Sequence, residues 1–375
     1  MRIAINTRLL IENKLDGISR FSFETLKRIT TQNLDIDFDF IFDRPYSPNF
    51  IFSKNITPHV LSPQTRHPIL WYIWFEFQLP KLINKINPDL FFSPDGFMST
   101  KLSIPTITTI HDINFEHRPK DLEWSHSLFY RKFFRKYAQL SKHIITVSKF
   151  SKKDIMKQYN IDEDQITVAY NGVSNIFHPI DDHEKIKIKN TYTNGKNFFV
   201  FIGSLHKRKN IKNLLLAFDI YRKKNGLNKL LIIGKKKWWD KETESVYKNM
   251  EFKKDISFLG AISDNVMAQV LASAQALCFT SFFEGFGLPI VESMKCHVPI
   301  ITSNTSCMPE IAKNAALIIN PHDVETIQRA MLKIEKNKSL RISLIKKGQE
   351  RIKLFDWDIT ANTIITILKK YAYHN

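Results

Sequence analysis

Two carboxylates and one run of cations stand out among the residues able to do chemistry. Glu284 and Glu292 flank the turn Gly285-Phe286-Gly287-Leu288-Pro289, and Pro289 suits the first turn of a helix that would carry Glu292. Such a turn presents the backbone N–H groups of Phe286, Gly287 and Leu288, and both acids would reach hydroxyls of one elongated, sugar-bearing ligand. The alternative is a capping acid at Glu284 and a solvated helix residue at Glu292. Lys207, Arg208 and Lys209 follow Gly203, at the end of an apolar run and just before a helical pattern. Three cations beside a helix N-terminus would grip a diphosphate, or else form a solvated basic turn. No G-x-x-x-x-G-K-[ST] loop is present. His111, just past the apolar run 106–110, is either a strand-end histidine bonded to backbone or a group facing a reacting centre.

These residues need elements to hold them. Short runs rich in β-branched and aromatic residues predict strands at 2–5, 38–42, 90–92, 106–110, 143–147 and 166–169. Amphipathic stretches at 19–29, 122–139 and 151–159 predict helices between them. After a charged, strand-poor stretch at 180–196, read as a linker, the alternation resumes. It predicts strands at 198–202, 230–233, 256–259, 276–279, 298–302 and 316–319, with helices at 211–221, 264–272 and 288–294. Two successive doubly wound α/β units with parallel sheets follow from this order. The expected domains are 1–178 and 179–355. A last helix over 356–373 closes the chain, in a segment 356–375 whose partner domain the pattern alone does not reveal.

Bulk properties agree with a folded, two-domain chain. Of 375 residues, 43% are hydrophobic and 25% charged, with Gly 11 and Pro 15, which excludes collagen-like and low-complexity classes. The formal charge of +18 favours anionic partners such as phosphate-bearing ligands, anionic membrane or nucleic acid, and most of the excess falls after residue 175. Three cysteines, Cys278, Cys296 and Cys307, show no metal-ligand spacing and suggest a reducing compartment. Neither a signal-peptide pattern nor a stretch approaching the ~20 apolar residues of a membrane span is present. A cytoplasmic protein is expected, with peripheral contact to the inner face of the cytoplasmic membrane left open.

Taken together, these residues resemble the retaining glycosyltransferases of family 4, bacterial polysaccharide mannosyltransferases among them. The E-x7-E signature stands as Glu284…Glu292, the phosphate loop as 203–210 and the nucleotide-side loop as 258–264. Pro309-Glu310-Ile311 and Asn320-Pro321-His322-Asp323 resemble the closing segments of the donor domain. In the first half, Asp16-Gly17-Ile18-Ser19-Arg20-Phe21 is similar to the family's glycine loop and Thr109-Ile110-His111-Asp112 to its catalytic-cleft histidine. The resemblance implies a GT-B fold, two Rossmann-like domains facing a central cleft, the first binding acceptor and the second a nucleotide-sugar donor. It implies that Glu292 holds the ribose, that Glu284 contacts the donor sugar beside the Phe286, Gly287 and Leu288 backbone, and that Arg208 and Lys209 bind the diphosphate. Gly17 would serve the distal phosphate, and His111 would face the reacting centre. Ser204 stands where many members carry arginine, so the phosphate contacts lean on Arg208 and Lys209.

The implied reaction is a front-face displacement that moves a hexose, mannose from GDP-mannose or a hexose from a UDP donor, to a glycan or lipid-linked glycan. His111, Glu284 and Lys209 carry the catalytic roles, with no protein nucleophile and no cofactor. Asp35, Asp37 and Asp39 form a D-x-D pattern of the kind that binds metal in the other major glycosyltransferase fold. Here they alternate with Ile36 and Phe38, as on a half-exposed edge strand, and no metal is expected. The aromatic-basic stretch 124–137 reads either as an interfacial helix or as a core helix with a solvated basic face. Residues 70–75 read as core or as the lining of an acceptor cleft, with core the safer reading, and 235–239 as solvated charge or, more sharply, a nucleotide-proximal contact. The other classes compatible with the sequence are a basic nucleic-acid-binding protein, which lacks any reading motif here, and a GT-B-like phosphorylase or silent sugar-nucleotide binder.

Overall fold

The computed structural model describes residues 1–375 except 13, 16, 237, 238 and 373–375. Asp16 of the glycine loop, Lys237 and Trp238 of the lysine-tryptophan stretch and Tyr373 of the last helix lie outside the described residues. Among those described, the chain divides into two units, Met1–Gly172 with Asp356–Asn375, and Val173–Phe355. The changeover thus falls at Gly172/Val173, where the sequence suggested 178/179.

The first unit is built on β1 (Arg2–Asn6), β2 (Asp37–Phe42), β3 (Ile56–Val60), β4 (Leu90–Ser93), β5 (Thr106–Thr109), β6 (His143–Thr146) and β7 (Ile166–Val168). Their order is β3-β2-β1-β4-β5-β6-β7, and each neighbouring pair is parallel. The second holds β8 (Phe198–Ile202), β9 (Lys229–Ile233), β10 (Ile256–Gly260), β11 (Ala276–Phe279), β12 (Ile300–Ser303) and β13 (Leu317–Ile319), in the parallel order β10-β9-β8-β11-β12-β13. Central strands such as Phe198–Ile202 are buried along their whole length, which is why they read as unbroken apolar runs. In both units the order reverses beside the first strand, between β1 and β4 and between β8 and β11. Open α/β sheets bind ligands outside the carboxyl ends of the strands at such switch points.

Local chemistry sets the helix boundaries. The Ser148 hydroxyl accepts the Ser151 N–H at 3.0 Å to start Lys149–Tyr159, and Asn160, with φ 56°, ends it. The run Pro68–Ile73, Trp74–Gln78 and Leu79–Ile86 is continuous, with a π turn in its middle. It buries Trp71, Trp74 and Phe75 in the first core beside Phe97, Phe129 and Phe134. The last helix, Trp357–Ala372, packs within the first unit. A Cβ at Gly172 would lie 2.2 Å from the Trp357 backbone nitrogen, so only glycine lets that corner close. Further along, Arg28 pairs with Asp358 at 2.9 Å and Lys369 donates to Asn33 Oδ1 at 2.7 Å.

Two sequence readings need correction. The stretch 180–196 is no linker, since it forms the helix Asp182–Thr193, started by Asp181, which accepts the Glu184 N–H at 2.8 Å. That helix buries only Thr193, so no apolar stripe betrayed it. The Asp35/Asp37/Asp39 segment is not on a sheet edge. β2 lies between β3 and β1, and Asp39 is fully buried, held by Arg2 and His59 at 2.7 Å each. The actual edge, β3, went unread because Pro58 interrupts it, a residue that edge strands tolerate.

Candidate functional site

The second sheet brings the two sequence clusters together at its switch point. β8 ends at Ile202, and the loop that starts at Gly203 makes a single 3-10 turn, Lys207–Lys209, before Asn210 enters the helix Ile211–Lys223 with φ 58°. The neighbouring β11 ends at Phe279 and leads through 280–287 into the helix Leu288–Lys295. The two loops are laced to each other. Phe282 N–H donates to Arg208 O at 2.8 Å, and Asn210 Nδ2 donates to Thr280 O at 3.0 Å and Pro321 O at 2.7 Å.

Glu284 is the hub of this arrangement. Its carboxylate meets Arg208 Nη1 at 2.7 Å through Oε2 and Lys209 Nζ at 2.7 Å through Oε1, with the three side chains 8%, 24% and 11% exposed respectively. Arg208 also donates to Phe283 O at 3.0 Å, and Glu284 N–H donates to Ser306 Oγ at 3.0 Å. Burial pushes the Glu284 carboxyl up, but the charges of Arg208 and Lys209 outweigh it and hold it down at about 2. Glu284 is therefore an anion that neutralises two cations of the basic loop, not a helix-capping acid.

Gly287, with φ 91°, sits at the N-terminal boundary of Leu288–Lys295, and Pro289 lies in its first turn. The first amides of that helix have no intrahelical acceptor, so the turn is an electropositive end. Phe286 is 4% exposed, packs edge-on against Phe355 at 5.6 Å, and its carbonyl accepts the Cys307 thiol at 3.1 Å. Glu292 is 7% exposed, one of the few buried acids of the unit. Burial together with the nearby Glu292 charge raises the Cys296 thiol to about 12, so that cysteine stays protonated.

Two glycines allow the basic loop its position. Gly203 and Gly234 directly follow β8 and β9, with φ 147° and 148°. A Cβ on Gly234 would fall 1.9 Å from the Gly203 carbonyl oxygen.

Gly17 and His111 belong to the first unit. Gly17 is the exposed first residue of the helix Gly17–Gln32. His111 Nε2 lies 2.8 Å from the Pro94 carbonyl, which can only accept, so that nitrogen carries a proton. Its ring meets Phe21 edge-on at 4.8 Å. Sequence reading missed the polar residues around it. At the β1/β4 switch point, Asn6 Nδ2 donates to Asp95 Oδ1 at 2.8 Å and to Ser93 Oγ at 3.1 Å. Arg8 pairs with Asp95 Oδ2 at 2.8 Å, both side chains under a tenth exposed, and its guanidinium lies over Phe97 at 4.2 Å. The available signal was polar residues directly after apolar strands, Asn6-Thr7-Arg8 and Ser93-Pro94-Asp95. Among the described residues, no group of three His, Cys, Asp or Glu side chains is arranged to hold a metal ion.

Comparison with known proteins follows the same division of the chain. The model of the Glycosyltransferase Family 4 matches residues 16–175, and that of Glycosyl transferases group 1 matches residues 182–351. The O-antigen chain mannosyltransferase B of Escherichia coli is 27% identical over 371 residues, covering 94% of this chain and 96% of its own. Sucrose-phosphate synthase from Thermosynechococcus elongatus superposes with a TM-score of 0.79 at 15% identity, covering 98% of both chains. HepE of Anabaena, solved in complex with UDP-glucose, superposes at 0.76 with 16% identity, over 99% of this chain and 100% of its own.

Proposed function

Since the chain belongs to the family 4 glycosyltransferases of GT-B fold, hexosyltransferases by class, we propose that it moves a hexose with retention of configuration from a nucleoside diphosphate donor to a glycan or lipid-linked glycan in cell-surface polysaccharide synthesis. The 27% identical O-antigen mannosyltransferase favours mannose, hence GDP-mannose, over a UDP-hexose.

One observation carries the reading, the carboxylate of Glu284 held between Arg208 and Lys209 at a sheet switch point. Cleaving the bond from an anomeric carbon to a nucleoside diphosphate builds negative charge on the leaving oxygen, and fixed cations lower that barrier. A diphosphate set against Arg208 and Lys209 competes with Glu284 for both, releasing the carboxylate to accept hydrogen bonds from donor-sugar hydroxyls. Glu292, in the second turn of its helix, takes the ribose hydroxyls, and the Phe286, Gly287 and Leu288 backbone borders the sugar. Gly17 and His111 are assigned to the distal phosphate and the reacting centre on the family resemblance. The leaving phosphate removes the acceptor proton in a front-face displacement, so no side-chain nucleophile is assigned. Two cations and a helix N-terminus supply the charge a divalent ion would bring, and we assign no metal requirement.

The test is a thermal-shift panel of GDP, UDP and ADP and their sugar conjugates, with and without EDTA. One nucleotide should raise the melting temperature, EDTA should not change that shift, and Glu292→Ala should abolish it. A shift that requires divalent cation would overturn metal independence. Equal shifts in wild type and Glu292→Ala would remove Glu292 from the donor site.

A further inference from the structure

His111 is fixed from two independent sides. Its main chain is tied to β6 and the helix after it, since Thr146 Oγ1 donates to the Ile110 carbonyl at 2.7 Å and Ser151 Oγ to the His111 carbonyl at 3.0 Å. Its ring is held from β4, the opposite neighbour of β5, by the bond from Nε2 to the Pro94 carbonyl at 2.8 Å. The direction of the ring therefore depends on the direction of that carbonyl.

Proline fixes its own φ but leaves ψ, which aims the carbonyl, to its surroundings. Here the surroundings are the turn 93–97. Asp95 Oδ1 accepts three hydrogen bonds, from Ser93 Oγ at 3.0 Å and Phe97 N–H at 3.1 Å within the turn, and from Asn6 Nδ2 at 2.8 Å at the end of β1. Asn6 also reaches Ser93 Oγ, at 3.1 Å. On the other side of the carboxylate, Oδ2 faces Arg8 Nε at 2.8 Å. The guanidinium is itself pinned, donating to Thr65 Oγ1 at 3.3 Å and lying over the Phe97 and Phe75 rings at 4.2 and 5.6 Å. Gly96, with φ 82°, closes the turn against β5, where a Cβ would lie 3.2 Å from the Thr109 carbonyl oxygen and 3.0 Å from the Phe134 ring.

Stability alone does not explain this cluster. Asn6, Arg8, Ser93 and Asp95 are each under a tenth exposed, and taking a buried ion pair out of water costs about as much as its attraction returns. Apolar residues often fill such a space at no loss. What a satisfied polar network adds is direction, because each bond fixes an angle as well as a distance.

We propose that Asn6 and Arg8, acting through Asp95, are positioning residues that aim the Pro94 carbonyl and so set the orientation of the His111 ring. This rests on the reading of His111 as facing the reacting centre, and it gives the β1/β4 switch point a part in the reaction exerted only through His111.

The test reads the ring directly, on the full-length protein with no substrate present. Histidine is isotopically labelled, the ring N–H protons are followed by NMR, and that of His111 is identified by its disappearance in His111→Ala. Asp95→Asn would strand the buried Arg8 charge, so the variants are Asn6→Ala and Ser93→Ala, which keep the ion pair. In wild type the His111 Nε2–H should exchange slowly with solvent, and in either variant at least about ten-fold faster. Ile83→Val, a substitution in the core of the first unit, should lower the melting temperature and leave that exchange unchanged, which separates aiming of the ring from general loosening. Hydrolysis of GDP-mannose, followed as released GDP, should lose about ten-fold in kcat in Asn6→Ala with KM unchanged, and Asn6→Ala should cause no further loss in a His111→Ala background. Absence of a slowly exchanging Nε2–H in wild type, unchanged exchange in both variants, or an equal loss of turnover with and without His111 would overturn the proposal. Wild-type turnover in His111→Ala, with the exchange behaving as expected, would instead overturn the catalytic reading of His111 and leave its positioning intact.

Discussion

Glu284 holds Arg208 and Lys209 where we propose that a diphosphate binds, and that proposed exchange sets what single substitutions should do. In the proposed reaction, replacing Lys209 by alanine removes a charge whose partner grows in the transition state. We expect kcat to fall about 100-fold with donor KM little changed, checked by steady-state kinetics. Arg208→Lys is not conservative, because the guanidinium serves both the Phe283 carbonyl and Glu284 through Nη1. Acid sensitivity belongs to this scale too. The Glu284 carboxyl sits at about 2 against an ordinary 4.5. A depressed carboxyl contributes stability that is full above the unfolded value and is lost as pH falls from about 4.5 to about 2. Urea melts across that window should show a steeper loss in wild type than in Glu284→Gln, which in turn is less stable at pH 7 by roughly 3 kcal/mol. Parallel profiles would show that the ion pairs do not stabilise the fold.

The loops after β8 and β9 share one close backbone contact, so a change at Gly234 is transmitted to the basic turn. Gly234→Ala must displace the Gly203 carbonyl, moving Lys207–Lys209 with it. We expect kcat/KM to drop about 100-fold while the melting transition survives, and unchanged kinetics would show that the turn is not positioned this way. In the first unit, His143 of β6 contacts Thr167 at 2.8 Å and Tyr371 of the last helix at 3.1 Å. Burial, with Lys370 and Lys152 nearby, lowers it to about 4. A depressed histidine is neutral when folded, so stability falls as pH drops from about 6.5 to about 4. His143→Gln should flatten that part of the stability profile measured by thermal melts. Much of this was legible in sequence. The helix at 264–272 and the strands at 198–202 and 276–279 are found where apolar periodicity placed them, and Glu284, Arg208 and Lys209 were readable because cations and acids follow apolar strands. Asp182–Thr193 was not, for lack of a buried stripe. The Asn6, Arg8 and Asp95 cluster joins residues distant in sequence, each unremarkable alone, and only the strand order β1-β4 brings them together.

At the scale of the whole chain, two sheets of the same strand logic each place polar residues at a switch point, yet the chemistry is unequal. The second carries Arg208 and Lys209 paired to Glu284, the cluster proposed to meet the donor diphosphate. The first carries Asn6, Arg8 and Asp95 locked to one another. A nucleotide that binds only the native second unit, supplied at about 100 times its Kd, should stabilise it by about 2.7 kcal/mol. Hydrogen exchange should place the added protection in β8, β11 and the helix Leu288–Lys295. Protection confined to the first unit instead would reverse the assignment of donor and acceptor halves. The division of the chain carries one more consequence. The second unit is a single uninterrupted stretch, Val173–Phe355, whereas the first is finished only when Trp357–Ala372 arrives and Gly172 receives the Trp357 corner. On the ribosome, where the amino-terminal domain usually folds first, we expect the order of completion to be inverted. The half made first must wait, its sheet missing its last helix, until translation has passed through the whole of the half made second.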